Sequence, residues 1–162
     1  MFARSGILWL ATAIFHAVLA VACIEVNGGA AELSWALRDF EGKPISEDGA
    51  PPCTVTNIEQ IHLHWKAVTD DSDTSLVPDG TEEFPCGDNR GVTEFTIPVG
   101  QQMLWIEPVC PDGAAAVSYE VPPPIVRNVE EGTVTTLDAL LIVADRDCTC
   151  PTSSSDCAPA LR

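Results

Sequence analysis

Hydrophobic and polar residues alternate most regularly in the stretch Gln60–Ala67, QIHLHWKA. Successive side chains of a β-strand point to opposite faces, so a period of two predicts a half-buried strand with its apolar set in the core and its polar set in solvent. The same period recurs in ELSWALR, residues 32–38. The apolar set of the first strand is Ile61, Leu63, Trp65 and Ala67, the polar set is Gln60, His62, His64 and Lys66, and the apolar positions of the second strand are Leu33, Trp35 and Leu37.

A β-hairpin is predicted for residues 91–109, GVTEFTIPVGQQMLWIEPV. The segment Ile97–Gly100 has Pro in the second position and Gly in the fourth, which is typical of a type I turn. Phe95 and Ile97 should point the same way before the turn. The register after the turn stays open, since either Leu104 and Ile106 or Met103 and Trp105 face the core.

Short extended runs separated by Pro, Gly and Asp continue along the chain, and no segment shows a helical period. We therefore predict an all-β fold, a single antiparallel β-sandwich of about seven strands over residues 31–145, stapled by disulfides and preceded by an N-terminal signal helix. A Cys-rich tail follows at 146–162. Further strands are expected near Thr81–Cys86, Ala115–Val121 and Thr133–Ala144.

Residues 1–22 have the layout of a signal peptide. Arg4 is the one cation of the first six residues, and the next sixteen, ILWLATAIFHAVLAVA, carry no formal charge and end in small residues that suit cleavage. A spanning helix needs about 20 predominantly apolar residues. The run is shorter and contains His16, so a cleaved signal is favoured over a retained membrane anchor.

The junction Leu19–Cys23, LAVAC, resembles the lipobox of bacterial lipoproteins, in which the Cys is acylated and becomes the mature N-terminus. The resemblance implies that Cys23 carries lipid and that residues 23–30, with Asn-Gly-Gly at 27–29, form a short flexible tether. Leu19 lies four places before the Cys, where the family has its Leu three places before. Cleavage by ordinary signal peptidase after the A-x-A at 20–22 is the alternative, and it leaves a free N-terminal Cys.

Seven cysteines are an odd number, and the assignment of Cys23 to lipid leaves an even set that can form disulfides in an oxidising compartment. We predict a Cys53–Cys86 bond across the Gln60–Ala67 strand, with a loop-closure contribution of about 3.5 kcal/mol. Cys148 and Cys150 are too close to bond each other comfortably. They should take Cys110 and Cys157 in either order, and a zinc cluster of cysteines is the less favoured alternative.

Charge excludes one class of partner. All 24 Asp and Glu follow Cys23, and seven of the eight Lys and Arg accompany them, so the mature chain is one unit more acidic than the −16 of the full sequence. A protein that binds nucleic acid needs a basic patch for the phosphates. No nucleic-acid partner is therefore expected, and the charge favours solubility and repulsion from anionic surfaces.

The strand motifs taken together resemble a prealbumin-like or immunoglobulin-like sandwich found in small exported lipoproteins of Gram-negative bacteria. The resemblance covers Glu32 to about Val143 and implies a fold and a location, with little about activity. The segments that carry it are LSWALRDFEGKPIS, Cys53, IHLHW, FPC at Cys86, GVTEFTIPVG, LWIEPV and GTVTTLDALLIV.

Two stretches contain candidate metal ligands. His62 and His64 lie on one strand face about 6.5 to 7 Å apart, so both imidazoles could reach one ion, with Glu59 or Glu94 to complete the site. Because a structural zinc usually needs four ligands, two polar residues on a solvent face are the more economical interpretation.

The second stretch is the carboxylate-rich segment Asp70–Asp79, which could bind calcium. It lacks the spacing of an EF-hand, since Leu76 stands where that loop needs Gly. A solvated acidic loop is therefore favoured.

No nucleophile motif such as G-x-S-x-G occurs, so we do not expect an enzyme or a cofactor. The sequence predicts an exported, lipid-anchored envelope protein that acts as a non-catalytic interaction or structural module, with the membrane, an envelope protein or a glycan as partner. Ile24 in place of the Asp that signals inner-membrane retention favours the outer membrane, and a secreted or periplasmic protein is the alternative. A metal-dependent binding domain is the second function class.

Overall fold

The computed structural model describes residues 27–46, 49–69, 76–145 and 149–150. The described chain contains eight β-strands, one five-residue α-helix and a single 3-10 turn at Cys86–Asp88. In chain order the elements are β1 (Ala30–Arg38), α1 (Pro52–Thr56), β2 (Gln60–Ala67), β3 (Gly80–Pro85), β4 (Arg90–Val92), β5 (Gly100–Val109), β6 (Tyr119–Glu120), β7 (Ile125–Val129) and β8 (Val134–Ala144).

The strands form two four-stranded sheets, with the orders β4-β1-β8-β6 and β3-β2-β5-β7. An all-β, disulfide-stapled fold is thus confirmed, although the strand number is eight and one sheet is mixed. β1 and β8 run parallel, with Ala30 opposite Val134 and Arg38 opposite Val143. The prediction of purely antiparallel pairing was therefore wrong. Strands joined by short turns pair antiparallel, whereas β1 and β8 are the first and last strands of the described chain and are not joined by a turn.

One hydrophobic core takes side chains from both sheets. The alternating sets are buried as predicted, at Leu33, Trp35 and Leu37 on β1 and at Ile61, Leu63 and Trp65 on β2. On β5 the open register is resolved in favour of Leu104 and Ile106, which are 1% and 2% exposed. Each fully buried aliphatic side chain contributes about 1.5–3 kcal/mol to folding, so this shared cluster holds the two sheets together.

The predicted hairpin at 91–109 is wrong. β4 ends at Val92 in one sheet and β5 starts at Gly100 in the other, so the segment between them crosses from sheet to sheet. Ile97 is fully buried, and its backbone pairs with Gly29 in an isolated bridge. Phe95 is 41% exposed, because the irregular segment does not keep the two-residue period that would place Phe95 beside Ile97.

Other sequence-based boundaries need smaller corrections. The strands near Thr81–Cys86 and Thr133–Ala144 are found as β3 and β8, but the one predicted over Ala115–Val121 is only the two-residue β6. β7 and α1 were not predicted. The sequence of β7, IVRNV, has too few residues to show a clear period, and a five-residue helix is shorter than any periodic signal.

Two disulfides close this fold. Cys53–Cys86 is confirmed, with a Cα–Cα distance of 5.8 Å, and the indole Nε1 of Trp35 donates a hydrogen bond to the carbonyl oxygen of Cys86 at 2.9 Å. Cys110 bonds to Cys150, which is one of the two partners that the sequence left open for Cys110. Disulfides of this kind indicate an oxidising, non-cytoplasmic compartment.

Several predictions concern residues outside the described ranges. They are the predicted signal peptide, the predicted lipid site Cys23, the remaining cysteines Cys148 and Cys157, and most of the acidic segment 70–79. Within the described ranges Gly28, Gly29 and Ala30 are buried, and Ala30 begins β1, so the part of the predicted tether nearest the domain is packed. No helix in the described part of the chain is long and apolar enough to cross a membrane.

Candidate functional site

The polar face of the β3-β2-β5 strands is the part of the described molecule where titratable and aromatic side chains meet. We call it the outer face; it carries Thr81 and Glu83 from β3, His62 and His64 from β2, and Met103, Trp105 and Glu107 from β5. The strand register determines which of these residues lie side by side. His62 lies between Glu83 and Glu107, and His64 lies between Thr81 and Trp105.

His64 is not the solvent-facing residue that the alternation predicted. It is 7% exposed, and its ring centroid lies 5.3 Å from that of Trp105. The period of two correctly places His64 on the side of the sheet that faces away from the core. The period cannot show that large neighbouring side chains cover that side. His64 is therefore a buried polar residue on the outer face.

Both ring nitrogens of His64 have partners. Nδ1 lies 2.8 Å from Oγ1 of Thr81, and Nε2 lies 3.0 Å from Oε2 of Glu107. An ionised carboxylate only accepts hydrogen bonds, so Nε2 carries the proton and its N–H donates a hydrogen bond to Glu107. In the neutral ring Nδ1 is then the acceptor, and the Thr81 hydroxyl donates to it. This network fixes the ring and satisfies its polar atoms.

Burial keeps His64 neutral at neutral pH, against the effect of its hydrogen bond to Glu107. Burial lowers the pKa of His64 from its ordinary 6.5, since the charged ring loses hydration, while the hydrogen bond and the charge of Glu107 act to raise it and the nearby His62 acts to lower it. Burial has the largest effect. The pKa of Glu82, on the other face of β3, is raised by burial and by the charges of Glu94 and Glu83.

His62 has a weaker set of contacts. Its Nε2 lies 3.1 Å from Oε1 of Gln60 and 3.9 Å from Oε1 of Glu83, and its ring centroid lies 6.0 Å from that of His64. The carboxylates that contact the two histidines are thus Glu107 and Glu83. The predicted helpers, Glu59 and Glu94, are absent from those contacts, because neither of them lies opposite a histidine in the strand register.

A metal ion at the histidines would compete with the hydrogen bonds that His64 already makes. Within the residues that the structure describes, no group of three or more His, Cys, Asp and Glu side chains could hold an ion. The lone pair that His64 would offer to a metal already accepts a hydrogen bond from Thr81. Metal binding would therefore require the buried network to break.

Most of the candidate calcium segment lies outside the described ranges, and its last residue has a structural role. Oδ2 of Asp79 accepts a hydrogen bond from the backbone N–H of Ala67 at 2.8 Å, and the Asp79 N–H donates to the carbonyl oxygen of Trp65. The carboxylate therefore helps to tie the start of β3 to the end of β2.

A groove of about 390 Å³ opens beside the His64 network. Its position follows from the pairing of β5, because Leu104 is the last β5 residue opposite β7 and the chain beyond it lies next to the β6–β7 connection instead. Trp105 and Glu107 form one side and the Pro-rich connection forms the other. The groove is lined by His64, Leu76, Pro78, Trp105, Ile106, Glu107, Tyr119, Val121, Pro122 and Pro124.

Sequence reasoning missed the groove although parts of it were visible. The stretch LWIEP places Trp105 and Glu107 on one face by the same period of two that was read in β2, and the Pro122–Pro124 run marks a rigid connection. What the sequence lacks is the pairing that brings β5 beside residues 119–124. That proximity depends on strand order across the sheets.

The order hydroxyl, imidazole, carboxylate in Thr81, His64 and Glu107 resembles a nucleophile with its base and orienting acid. Such a unit needs a substrate cavity at the nucleophile. Thr81 is not among the residues that line the groove beside the network. Its hydrogen bond to His64, and that of His64 to Glu107, hold these two side chains in place.

No protein-family model matches this chain, and no curated protein or solved structure is significantly similar to it.

Proposed function

We propose that this chain is an exported, lipid-anchored module of the bacterial cell envelope that binds a partner protein, without catalysis, through the groove beside His64. The groove with Trp105 and Tyr119 on its walls carries the proposal. Aromatic residues of this kind are enriched in interface centres because they offer a large apolar contact together with a polar atom.

The walls of the groove are held firmly, which favours recognition. Pro122, Pro123 and Pro124 have restricted φ angles, so their segment is stiff before any ligand arrives. On the other side, Glu107 is held by His64, which is itself held by Thr81. A preformed groove loses less conformational entropy on binding than a mobile one does.

The location rests on two separate arguments. The disulfides place the folded domain in an oxidising compartment. Lipid on Cys23 and residence at the outer membrane are inferred from the lipobox-like junction and Ile24, and a periplasmic or secreted form remains the alternative. Lipid anchoring would keep a small acidic domain at the envelope despite its repulsion from anionic surfaces.

Site-specific photo-crosslinking in intact cells tests the binding function. A photoreactive residue at Val121 should yield one discrete protein adduct, and Trp105→Ala should abolish it, while Phe40→Ala, an exposed aromatic outside the groove, should leave it unchanged. An adduct that survives Trp105→Ala, or one that is lost equally in both variants, would contradict the proposal.

Fatty-acid labelling tests the anchor independently. A clickable fatty acid fed to cells should label the wild-type chain and leave Cys23→Ser unlabelled, and the variant should no longer sediment with membranes. Labelling that persists in Cys23→Ser would show that Cys23 is not the lipid site, without bearing on the groove.

A further inference from the structure

The groove offers a carboxylate and several carbonyl groups as hydrogen-bond acceptors, and its side-chain donors are the indole N–H of Trp105 and the hydroxyl of Tyr119. The Glu107 carboxylate accepts only, and the N–H of His64 is already donated to it. Proline residues carry a carbonyl but no N–H, so Pro78, Pro122 and Pro124 add acceptors and no backbone donors. A ligand that satisfies the acceptors, above all the Glu107 carboxylate, must bring donors of its own.

Charge selects among such ligands. Among the described residues that line the groove there is one carboxylate and no lysine or arginine. The side chain of Glu107 is 34% exposed, and His64 occupies only its Oε2 atom, so the carboxylate can accept further bonds. Lys66, the nearest cation along β2, lies two residues beyond His64 and does not line the groove. The chain as a whole carries −16, which attracts cations.

The shape of the groove also favours a cationic side chain. Trp105 is half-buried against His64, so one part of its indole is packed while the rest lines the groove. A flat cation stacks favourably on an indole face, and a guanidinium also pairs with a carboxylate through fixed, parallel N–H groups. A volume of about 390 Å³ is near the lower limit for a small-ligand pocket, which suits one long side chain and its neighbours.

We infer that the groove binds an arginine side chain of the partner protein, with the guanidinium stacked on Trp105 and hydrogen-bonded to Glu107. This inference rests on the proposed function, because it names the group that the groove recognises. The Thr81–His64 pair acts as a positioning unit, since it holds Oε2 of Glu107 and leaves the other oxygen for the ligand.

Titration of the purified, exported chain with a blocked Gly-Arg-Gly peptide tests the inference. The NMR signal of the Trp105 indole N–H should shift with peptide concentration, and the affinity should fall as salt is raised. A peptide with citrulline, the neutral isostere of arginine, should bind about tenfold more weakly. This comparison uses the wild-type chain and does not depend on the folding of any variant.

Two variants locate the contact. Glu107→Gln keeps an acceptor for His64 but removes the charge, and it should weaken arginine binding about tenfold. Glu32→Gln removes the same charge from an exposed position on β1 in the other sheet and should have no effect. Trp105→Leu should weaken binding by about 2- to 30-fold.

Three outcomes would overturn the inference: equal affinity for arginine and citrulline, an equal loss in Glu107→Gln and Glu32→Gln, or a shift of the Trp105 signal by neutral maltotriose but not by the peptide. If the arginine peptide does not bind while the crosslinked partner is still lost in Trp105→Ala, the arginine inference is wrong and the groove remains a docking site. If the crosslinked partner is unaffected by Trp105→Ala, the proposed function itself is wrong.

Discussion

The two faces of the β2–β5 pair have the same backbone and very different chemistry. On the inner face, Leu63 and Ile106 lie opposite each other and are almost fully buried in apolar surroundings. On the outer face, His64 is also buried, yet its environment is a hydrogen-bonded network beside a groove. Burial on the inner face serves stability, whereas burial on the outer face holds polar groups in a defined geometry.

The largest effect is expected from the inner face. Leu63→Ala should lower the free energy of unfolding by about 2–5 kcal/mol, because it removes apolar contacts and leaves a cavity in a core shared by both sheets. Chemical denaturation measures the change. Val126→Ala, at a 47% exposed position on β7, is the control and should cost less than about 0.5 kcal/mol. A loss below 1 kcal/mol for Leu63→Ala would mean that the inner face is not the main source of stability.

A smaller loss is expected on the outer face. His64→Ala leaves Thr81 and Glu107 without their shared partner and should cost about 1–3 kcal/mol by the same measurement. His62→Ala is the matched control, since His62 is half-buried and has weaker contacts, and it should cost less than about 0.5 kcal/mol. Equal effects of the two substitutions would contradict the special role given to His64.

Acid should destabilise the protein through His64 on the outer face. The pKa of His64 is lowered in the folded chain, so the unfolded chain takes up this proton first and stability falls as the pH drops below about 6.5. The loss ends below the folded pKa. Denaturation of wild type and His64→Gln between pH 7.5 and 5 should show a decline that is shallower in the variant. A decline of the same slope in both would assign it to groups other than His64.

The smallest effect is expected at Glu82, which lies on the inner side of the edge strand β3. Its pKa is raised in the fold, so ionisation disfavours the folded state and stability falls as the pH rises from about 4.5 through the folded pKa. Glu82→Gln should therefore raise the melting temperature slightly at pH 7 and not below pH 4. Glu32→Gln, at an exposed position on β1 in the other sheet, is the control. A lower melting temperature for Glu82→Gln at pH 7 would reverse this assignment.

The same comparison shows how far the sequence can predict this molecule. A period of two depends only on neighbouring residues of one strand, so Ile61, Leu63 and Trp65 could be placed in the core without knowledge of any other strand. The Cys53–Cys86 bond was predictable for a similar reason, because Cys53 precedes β2 and Cys86 follows β3, the next strand along the chain.

The candidate site needed information that no single strand contains. The contact of His64 with Glu107 joins residues 43 positions apart, and it exists only because β5 pairs with β2 in one particular register. The same limit explains the hairpin error, because turn chemistry at Pro98 is local whereas the change of sheet between β4 and β5 is not. Sequence patterns therefore predicted the buried faces and left the meeting of distant polar residues undetermined.

The parallel pairing of β1 and β8 also determines how far the groove stands from the start of the domain. Ala30 lies opposite Val134 at one end of β8, and Tyr119, on the groove wall, lies opposite Ala144 at the other end. With about 3.3 Å per residue along a strand, these ends are roughly 30 Å apart. The groove thus lies at the end of the domain away from residues 27–29, so a partner can reach it without contacting the segment where the described chain begins.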